Sequence, residues 1–163
     1  MVPPEAAMYE GPSTFEEFHS NGVEYLAIYK DLVGLRPDDA LLDVGSGIGR
    51  KTIELTRYLS QNAIYEGFDI TKAGVDWCTE RITARHPNFR FRHVDVRSAL
   101  YNPDATVAAA EFTFPYDDAS FDVVVLGSVF THMLPPGVRR YTNEVARVLK
   151  PGGRSLVSYF LLN

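Results

Sequence analysis

Hydrophobic positions along this chain switch between two periods. Short strand-like runs, nearly continuous and apolar in Phe121–Leu126, alternate with stretches in which apolar residues recur every three or four positions. The runs are Ala40–Val44, Ala63–Asp69, Phe89–Val94, Phe121–Leu126 and Arg154–Leu162. Their length and β-branching fit buried strands. Between them, Ile48, Thr52, Leu55 and Leu59 give one helical stripe, and Val75, Cys78 and Ile82 give another. A third runs from Gly137 to Leu149, with Val138, Tyr141 and Val145 facing inward. Ahead of the first strand, Thr14 is placed to cap a helix carrying Phe15 and Phe18, and after Asn21-Gly22 a second pattern runs to about Val33. The aromatic face of that second pattern fits either core packing or a wall over a ligand. Residues 98–118 break the rhythm, with only Ala108-Ala109-Ala110 suggesting a helical turn. Lys150-Pro151-Gly152-Gly153 reads as a tight turn. Strands alternating with helices in this way predict an α/β fold: a doubly wound, Rossmann-like parallel sheet with helices on both faces.

The chemistry gathers where strands end. The first strand runs into Asp43-Val44-Gly45-Ser46-Gly47-Ile48-Gly49-Arg50. Three glycines at alternate positions let the backbone turn sharply and approach a ligand, and the helix that follows offers N–H groups at its start. In open α/β sheets ligands bind at the carboxyl ends of the strands. A dinucleotide fingerprint needs a glycine where Arg50 stands. Asp43, just before the turn, repels a pyrophosphate and suits a cationic group such as an amine or a sulfonium. Asp69 ends the second strand, placed to accept from both hydroxyls of a ribose. Asp95 follows the third, placed to accept from an adenine amine, with the Val96 N–H for the ring and Ile70 for its face. Three acids at three successive strand ends point to one nucleoside-type ligand.

Composition narrows the class. The chain has 163 residues, 45% of them hydrophobic and 23% charged, as expected of one globular domain. A net charge of -5 argues against a nucleic-acid surface. The single cysteine, Cys78, excludes an intrachain disulfide and reads as a packing residue. No apolar run is long enough for a membrane span, and the N-terminus lacks a signal-peptide pattern, so a cytoplasmic location is expected. His19, His86, His93 and His132 are scattered, and no metal site is expected.

Five segments resemble class I S-adenosylmethionine-dependent methyltransferases, in the family's order: Leu42–Gly49, Tyr65–Asp69, His93–Val96, Phe114–Val125 and Glu144–Gly153. The resemblance implies a strand order of 3-2-1-4-5, S-adenosylmethionine as cofactor and S-adenosylhomocysteine as product. It implies that Asp43 and the turn Gly45, Ser46, Gly47 and Gly49 hold the methionine end. Asp69 would take the ribose and Asp95 with Val96 the adenine. Gly127 or Ser128 would meet the methionine amino group through the backbone. Residues 1–39 then form an arm and helices walling the site, and 40–163 the cofactor-binding domain. Family members usually continue with a helix and two more strands, so truncation at the C-terminus is expected, with pairing of two copies through the last strand as an alternative. After the fourth strand stands Ser128-Val129-Phe130-Thr131-His132-Met133 rather than the Asn-Pro-Pro-Tyr of nucleic-acid amino-methylating relatives. This favours a small-molecule acceptor, most plausibly a hydroxyl. His132 is either its general base or a structural histidine, and Tyr116 and Phe130 are candidate acceptor walls. Two other classes stay open: a non-catalytic cofactor-binding domain and a NAD-dependent oxidoreductase.

Overall fold

The computed structural model describes residues 14–159. Five parallel strands form one sheet in the order β3-β2-β1-β4-β5: β1 (Ala40–Val44), β2 (Ile64–Asp69), β3 (Phe89–His93), β4 (Phe121–Leu126) and β5 (Leu149–Val157). This is the expected order. Helix α1 spans Phe15–Leu32, α2 Thr52–Tyr58, α3 Lys72–Cys78 and α4 Pro135–Val148. A π-helical turn, Thr79–Thr83, prolongs α3. Among the described residues no helix is long and apolar enough to cross a membrane.

The period of two along β1 divides the core. Leu41 faces one side with Tyr29, Leu55, Tyr65, Cys78, Ile82 and Phe89, beneath α1, α2 and α3. Leu42 and Val44 face the other side with Phe68, Phe114, Phe121, Tyr141 and Val145, beneath α4. Helices therefore cover both faces. Every residue of β1 is buried, which is why it reads as a continuous apolar run broken only by Asp43.

Three local expectations are corrected. Asn21-Gly22 does not divide two helices; α1 runs through it, capped as expected by Thr14, whose Oγ1 accepts the Glu17 N–H at 3.2 Å. The glycine serves packing instead: a Cβ on Gly22 would lie 3.0 Å from the Arg50 carbonyl and 3.2 Å from Glu54 Cγ. Helix α4 begins two residues earlier than Gly137, because Pro135 and Pro136 occupy its first turn, where a missing N–H costs nothing. The segment 150–153 is not a turn before β5 but an irregularity within it. Phe121 pairs with Leu149 and Val123 with Arg154, so the extra residues bulge out, with Gly152 at φ +79°. Strand pairing ends at Val157, and the expected continuation over 160–162 lies outside the described residues.

The irregular stretch before β4 is held by a buried clamp. Glu144 on α4 accepts the Phe114 N–H at 2.8 Å and meets Arg147 Nη2 at 2.6 Å, while Arg147 also donates to the carbonyls of Phe114 and Tyr116. Burial alone would raise the Glu144 carboxyl; the Arg147 hydrogen bond, the Phe114 N–H and the charges of Arg147 and Arg140 outweigh it and hold the carboxyl below its ordinary range. A depressed folded value means the unfolded chain takes up the proton first. The stabilisation is therefore complete above the unfolded carboxylate value and lost as pH falls through the folded one. Glu144→Ala, which strands a buried N–H and a buried arginine contact, is expected to cost about 3 kcal/mol. Urea unfolding should show that loss at neutral pH and a smaller loss in acid; equal stability of variant and wild type at neutral pH would contradict the clamp.

Candidate functional site

A cavity of about 830 Å3 opens at the carboxyl ends of the strands, within the range of small-molecule sites, about 300–1,000 Å3. It brings together Gly45, Asp69, Ile70, Val96, Gly127, Ser128 and His132 from loops far apart in sequence. The strand ends converge there because the sheet is parallel and β1 lies at its centre, between β2 and β4.

The glycine turn explains its own composition. Gly45, Gly47 and Gly49 have φ of +74°, +55° and +77°, a region closed to most side chains. A Cβ on Gly45 would lie 2.6 Å from Val129 Cγ2, so this glycine admits the loop after β4 beside the turn. A Cβ on Gly49 would meet Ile82 and Cys78 at 2.9 and 3.0 Å, so Gly49 serves the packing of α3. Gly67 on β2 makes room for Ser46, 3.0 Å from where its Cβ would be. Ser46, Gly47 and Gly49 are buried and support the turn from behind; of the four turn residues expected at the ligand, Gly45 lines the cavity.

Much of the expected supply of free N–H groups is spent within the protein. The Gly45 and Ser46 amides both donate to the Phe68 carbonyl, at 2.9 and 3.1 Å. The Gly47 amide donates to Asp69 Oδ2 at 2.8 Å, and Gly49 to the Ser46 carbonyl at 3.2 Å. At the start of α2, the Thr52 and Ile53 amides turn back to the Gly49 carbonyl. A pyrophosphate-binding turn needs such donors free; here these six are committed to the protein.

Asp43 also differs from expectation. Its carboxylate is fully buried and does not line the cavity. Lys51 Nζ lies 3.1 Å from Oδ1, and the Tyr65 hydroxyl donates to Oδ2 at 2.9 Å. Burial raises the Asp43 carboxyl, with the Lys51 charge and these hydrogen bonds opposing. The cation that meets Asp43 is thus the protein's own lysine. Lys51 itself lines the cavity.

Asp69 sits at the cavity wall, 7% exposed. Besides the Gly47 amide it accepts from the Thr71 amide and hydroxyl. Three of its roughly four lone-pair positions are thereby used, which leaves about one for a ligand hydroxyl rather than one for each of two. Asp95 does not line the cavity. It is exposed, and Asn102 Nδ2 donates to it at 3.3 Å. Val96 lines the cavity beside Arg97 and Ser98. Ser128 holds φ +62°, a strained value for a side-chain-bearing residue, and its N–H donates to Ser158 Oγ on the β5 side at 2.7 Å. His132, on a 3-10 turn over Phe130–His132, is exposed to the cavity, with its ring edge-on to Tyr101 at 5.4 Å. Tyr116 and Phe130 do not wall it. Tyr116 packs edge-on against Phe121 at 5.2 Å, and Phe130 packs against the core below α4.

Arg50, Lys51, Arg97, Tyr101 and Tyr141 also line the cavity and were not among the expected site residues. For the first three, adjacency to the glycine turn and to His93–Val96 was the available signal. Burial and then the charge of Asp69 raise the Tyr141 phenol, so it stays a neutral hydroxyl. Among the described residues no group of three or more His, Cys, Asp or Glu side chains is placed to hold a metal ion.

Solved methyltransferases share this fold. An S-adenosylmethionine-dependent methyltransferase from Aquifex aeolicus superposes with a TM-score of 0.61 at 17% identity, over 82% of this chain and 62% of that one. Coclaurine N-methyltransferase bound to N-methylheliamine and S-adenosylhomocysteine gives 0.66 at 14% identity, over 93% and 38%. So does a protein named for other chemistry, the (4+2)-cyclase SpnF, with 0.62 at 24% identity, over 83% of this chain and 43% of that one. In sequence, the chain is 34% identical to the phthiotriol/phenolphthiotriol dimycocerosates methyltransferase of Mycobacterium tuberculosis, over 83% of this chain and 41% of that protein. It is 31% identical to the 27-O-demethylrifamycin SV methyltransferase of Amycolatopsis mediterranei, over 92% and 48%. The chain spans less than half the length of these two relatives. The family model of the methyltransferase domain matches residues 42–157, the segment that carries the sheet, the glycine turn and the cavity, and this chain belongs to that family.

Proposed function

We propose that this chain binds S-adenosylmethionine in the cavity and transfers its methyl group to a small, neutral, largely apolar acceptor, most plausibly at a hydroxyl. The observation that carries this reading is the convergence of Gly45, Asp69, Ile70, Val96, Gly127 and Ser128 with His132 on one cavity. The residues fit the cofactor with two adjustments: Asp43 is sealed beneath the turn, and Asp95 points away to Asn102. Asp69 is then the group for a ribose hydroxyl, and Ile70 and Val96 form the adenine wall. When bound, the cofactor supplies an electrophilic methyl on a sulfonium. The protein's part is to align the acceptor oxygen with it, exclude water and take up the acceptor's proton.

We assign the last task to His132, a reading its position supports. It faces the cavity, and its edge-on contact with Tyr101 fixes the ring plane. Ala99, Ala109, Met133 and Leu134 give the same cavity an apolar wall as well. Asp69 is the one carboxylate among the lining residues, and its oxygens are engaged. An acceptor held as an ammonium ion would find no free acid there, which supports a neutral acceptor. Both relatives named above are methyltransferases named for organic small-molecule substrates, which supports a small-molecule acceptor.

The test is a screen of hydroxylated apolar compounds with S-adenosylmethionine, read by mass spectrometry. The reading expects one methyl added to at least one neutral hydroxyl compound. Methylation confined to amines would overturn the acceptor assignment. SpnF motivates a second reading, in which the fold binds the cofactor without methyl transfer. Tight S-adenosylhomocysteine binding with no methylated product across the screen would favour it.

A further inference from the structure

Beside the glycine turn the structure holds more positive charge than its acids balance. Lys51 and Arg50 are adjacent, and both line the cavity. Asp43 neutralises one of them, and it is sealed from the cavity with its other oxygen taken by Tyr65. Asp69 is engaged with Gly47 and Thr71. The Lys51 side chain is 4% exposed and has three N–H donors, of which one goes to Asp43 and one to the Gly45 carbonyl at 2.9 Å. Among the described residues the third has no protein acceptor. Arg50, half-buried, adds a second open donor: its Nε is buried with no acceptor among the described residues, while its guanidinium lies 5.8 Å from the Tyr25 ring and the residue also borders a smaller cavity beside α1. Two buried donors left open on adjacent cations mark the place of an anion, because a desolvated N–H without an acceptor is costly.

The position of Lys51 adds to this. Its Nζ would lie 3.2 Å from a Cβ on Gly127, so it fills the space between the ends of β1 and β4. These are the two strand ends assigned to the aminoacyl tail of the cofactor. We propose that Lys51, with Arg50 beside it, binds the carboxylate of that tail, and that Asp43 acts as the buried counter-ion that keeps Lys51 in place. This reverses the sequence reading, in which Asp43 itself met the ligand's cationic group. It rests on the methyltransferase reading.

The test compares two nucleosides that differ in the tail. S-adenosylhomocysteine carries the carboxylate; methylthioadenosine has the same nucleoside and sulfur but no amino acid. Lys51→Met alone would leave Asp43 buried without a partner, so the variant to use carries Asp43→Asn together with Lys51→Met. Asparagine can still accept from Tyr65, and methionine fills the lysine's channel. Calorimetry on this double variant is expected to show S-adenosylhomocysteine binding weakened about 30-fold, the loss of one charge-assisted hydrogen bond, with methylthioadenosine affinity unchanged. Parallel loss of both ligands, or loss of neither, would overturn the assignment to the carboxylate. Wild-type protein that binds neither nucleoside would overturn the methyltransferase reading itself, and this assignment with it.

Discussion

Replacing Asp69 by alanine is expected to weaken S-adenosylhomocysteine binding about 100-fold, or roughly 2.7 kcal/mol. Two losses combine. The variant gives up a charged acceptor at the cavity wall, and it releases the Gly47 amide that fixes the glycine turn to β2. Burial makes both losses larger than at a surface, because neither group finds water as a substitute. The fold should persist, since Gly45 and Ser46 stay tied to the Phe68 carbonyl and β1 keeps its pairing with β2 and β4. Calorimetry together with circular dichroism checks this. Unchanged affinity in a folded variant would mean that the ligand does not lie against β2.

His132→Ala is expected to lower kcat about 10²- to 10⁴-fold with an accepted hydroxyl substrate, the range for loss of a general base. S-adenosylhomocysteine affinity should stay near that of wild type. His132 lies on the turn beyond β4, and its backbone amide donates to the Val129 carbonyl rather than to the glycine turn. The pH–rate profile gives the sharper readout. A base that must be neutral produces a limb on which rate rises with pH, and the variant should lose that limb. A variant with wild-type kcat and the same profile would leave His132 only its ring contact with Tyr101.

These two effects separate binding from chemistry, and they separate what was legible in the sequence from what was not. The centre of the sheet was legible because β1 and β4 are buried along almost their whole length, so their apolar runs are nearly unbroken, whereas the more exposed β3 and β5 at the edges read as strands mainly from their place in the strand–helix alternation. Gly22 misled because glycine has two uses. Local pattern reads it as a breaker, but here it lets Arg50 and Glu54 approach α1, a contact across 28 residues or more that no window along the chain contains. Pro135 and Pro136 carried the start of α4 in plain sight, as first-turn prolines do.

The site was legible in outline and wrong in charge. Asp43 at the end of β1 looked like a counter-charge for a ligand, because sequence shows which residues are charged but not which are paired. Lys51 lies eight positions on, and only the sharp turn through three positive-φ glycines brings its ammonium back beneath the strand end. Asp95 was misplaced for a simpler reason. The chain leaves β3 one residue early, and Asn102 on the following turn captures the carboxylate outside the cavity. Tyr116 resembled a pocket wall because an aromatic residue in an irregular loop has no periodicity to betray its burial; its ring belongs to the Phe68 and Phe121 cluster.

The glycine turn decides the central question of which nucleotide or nucleoside this cavity takes. The Gly45, Ser46, Gly47 and Gly49 amides are spent on Phe68, Asp69 and the turn itself, so the turn offers a pyrophosphate few donors. Its neighbours are two cations, a carboxylate and apolar walls, which suit an aminoacyl nucleoside. Calorimetric titration of the protein with S-adenosylhomocysteine and, separately, with NAD tests this directly. Saturable single-site binding of S-adenosylhomocysteine with no heat from NAD is the predicted result. Binding of NAD without binding of S-adenosylhomocysteine would contradict it.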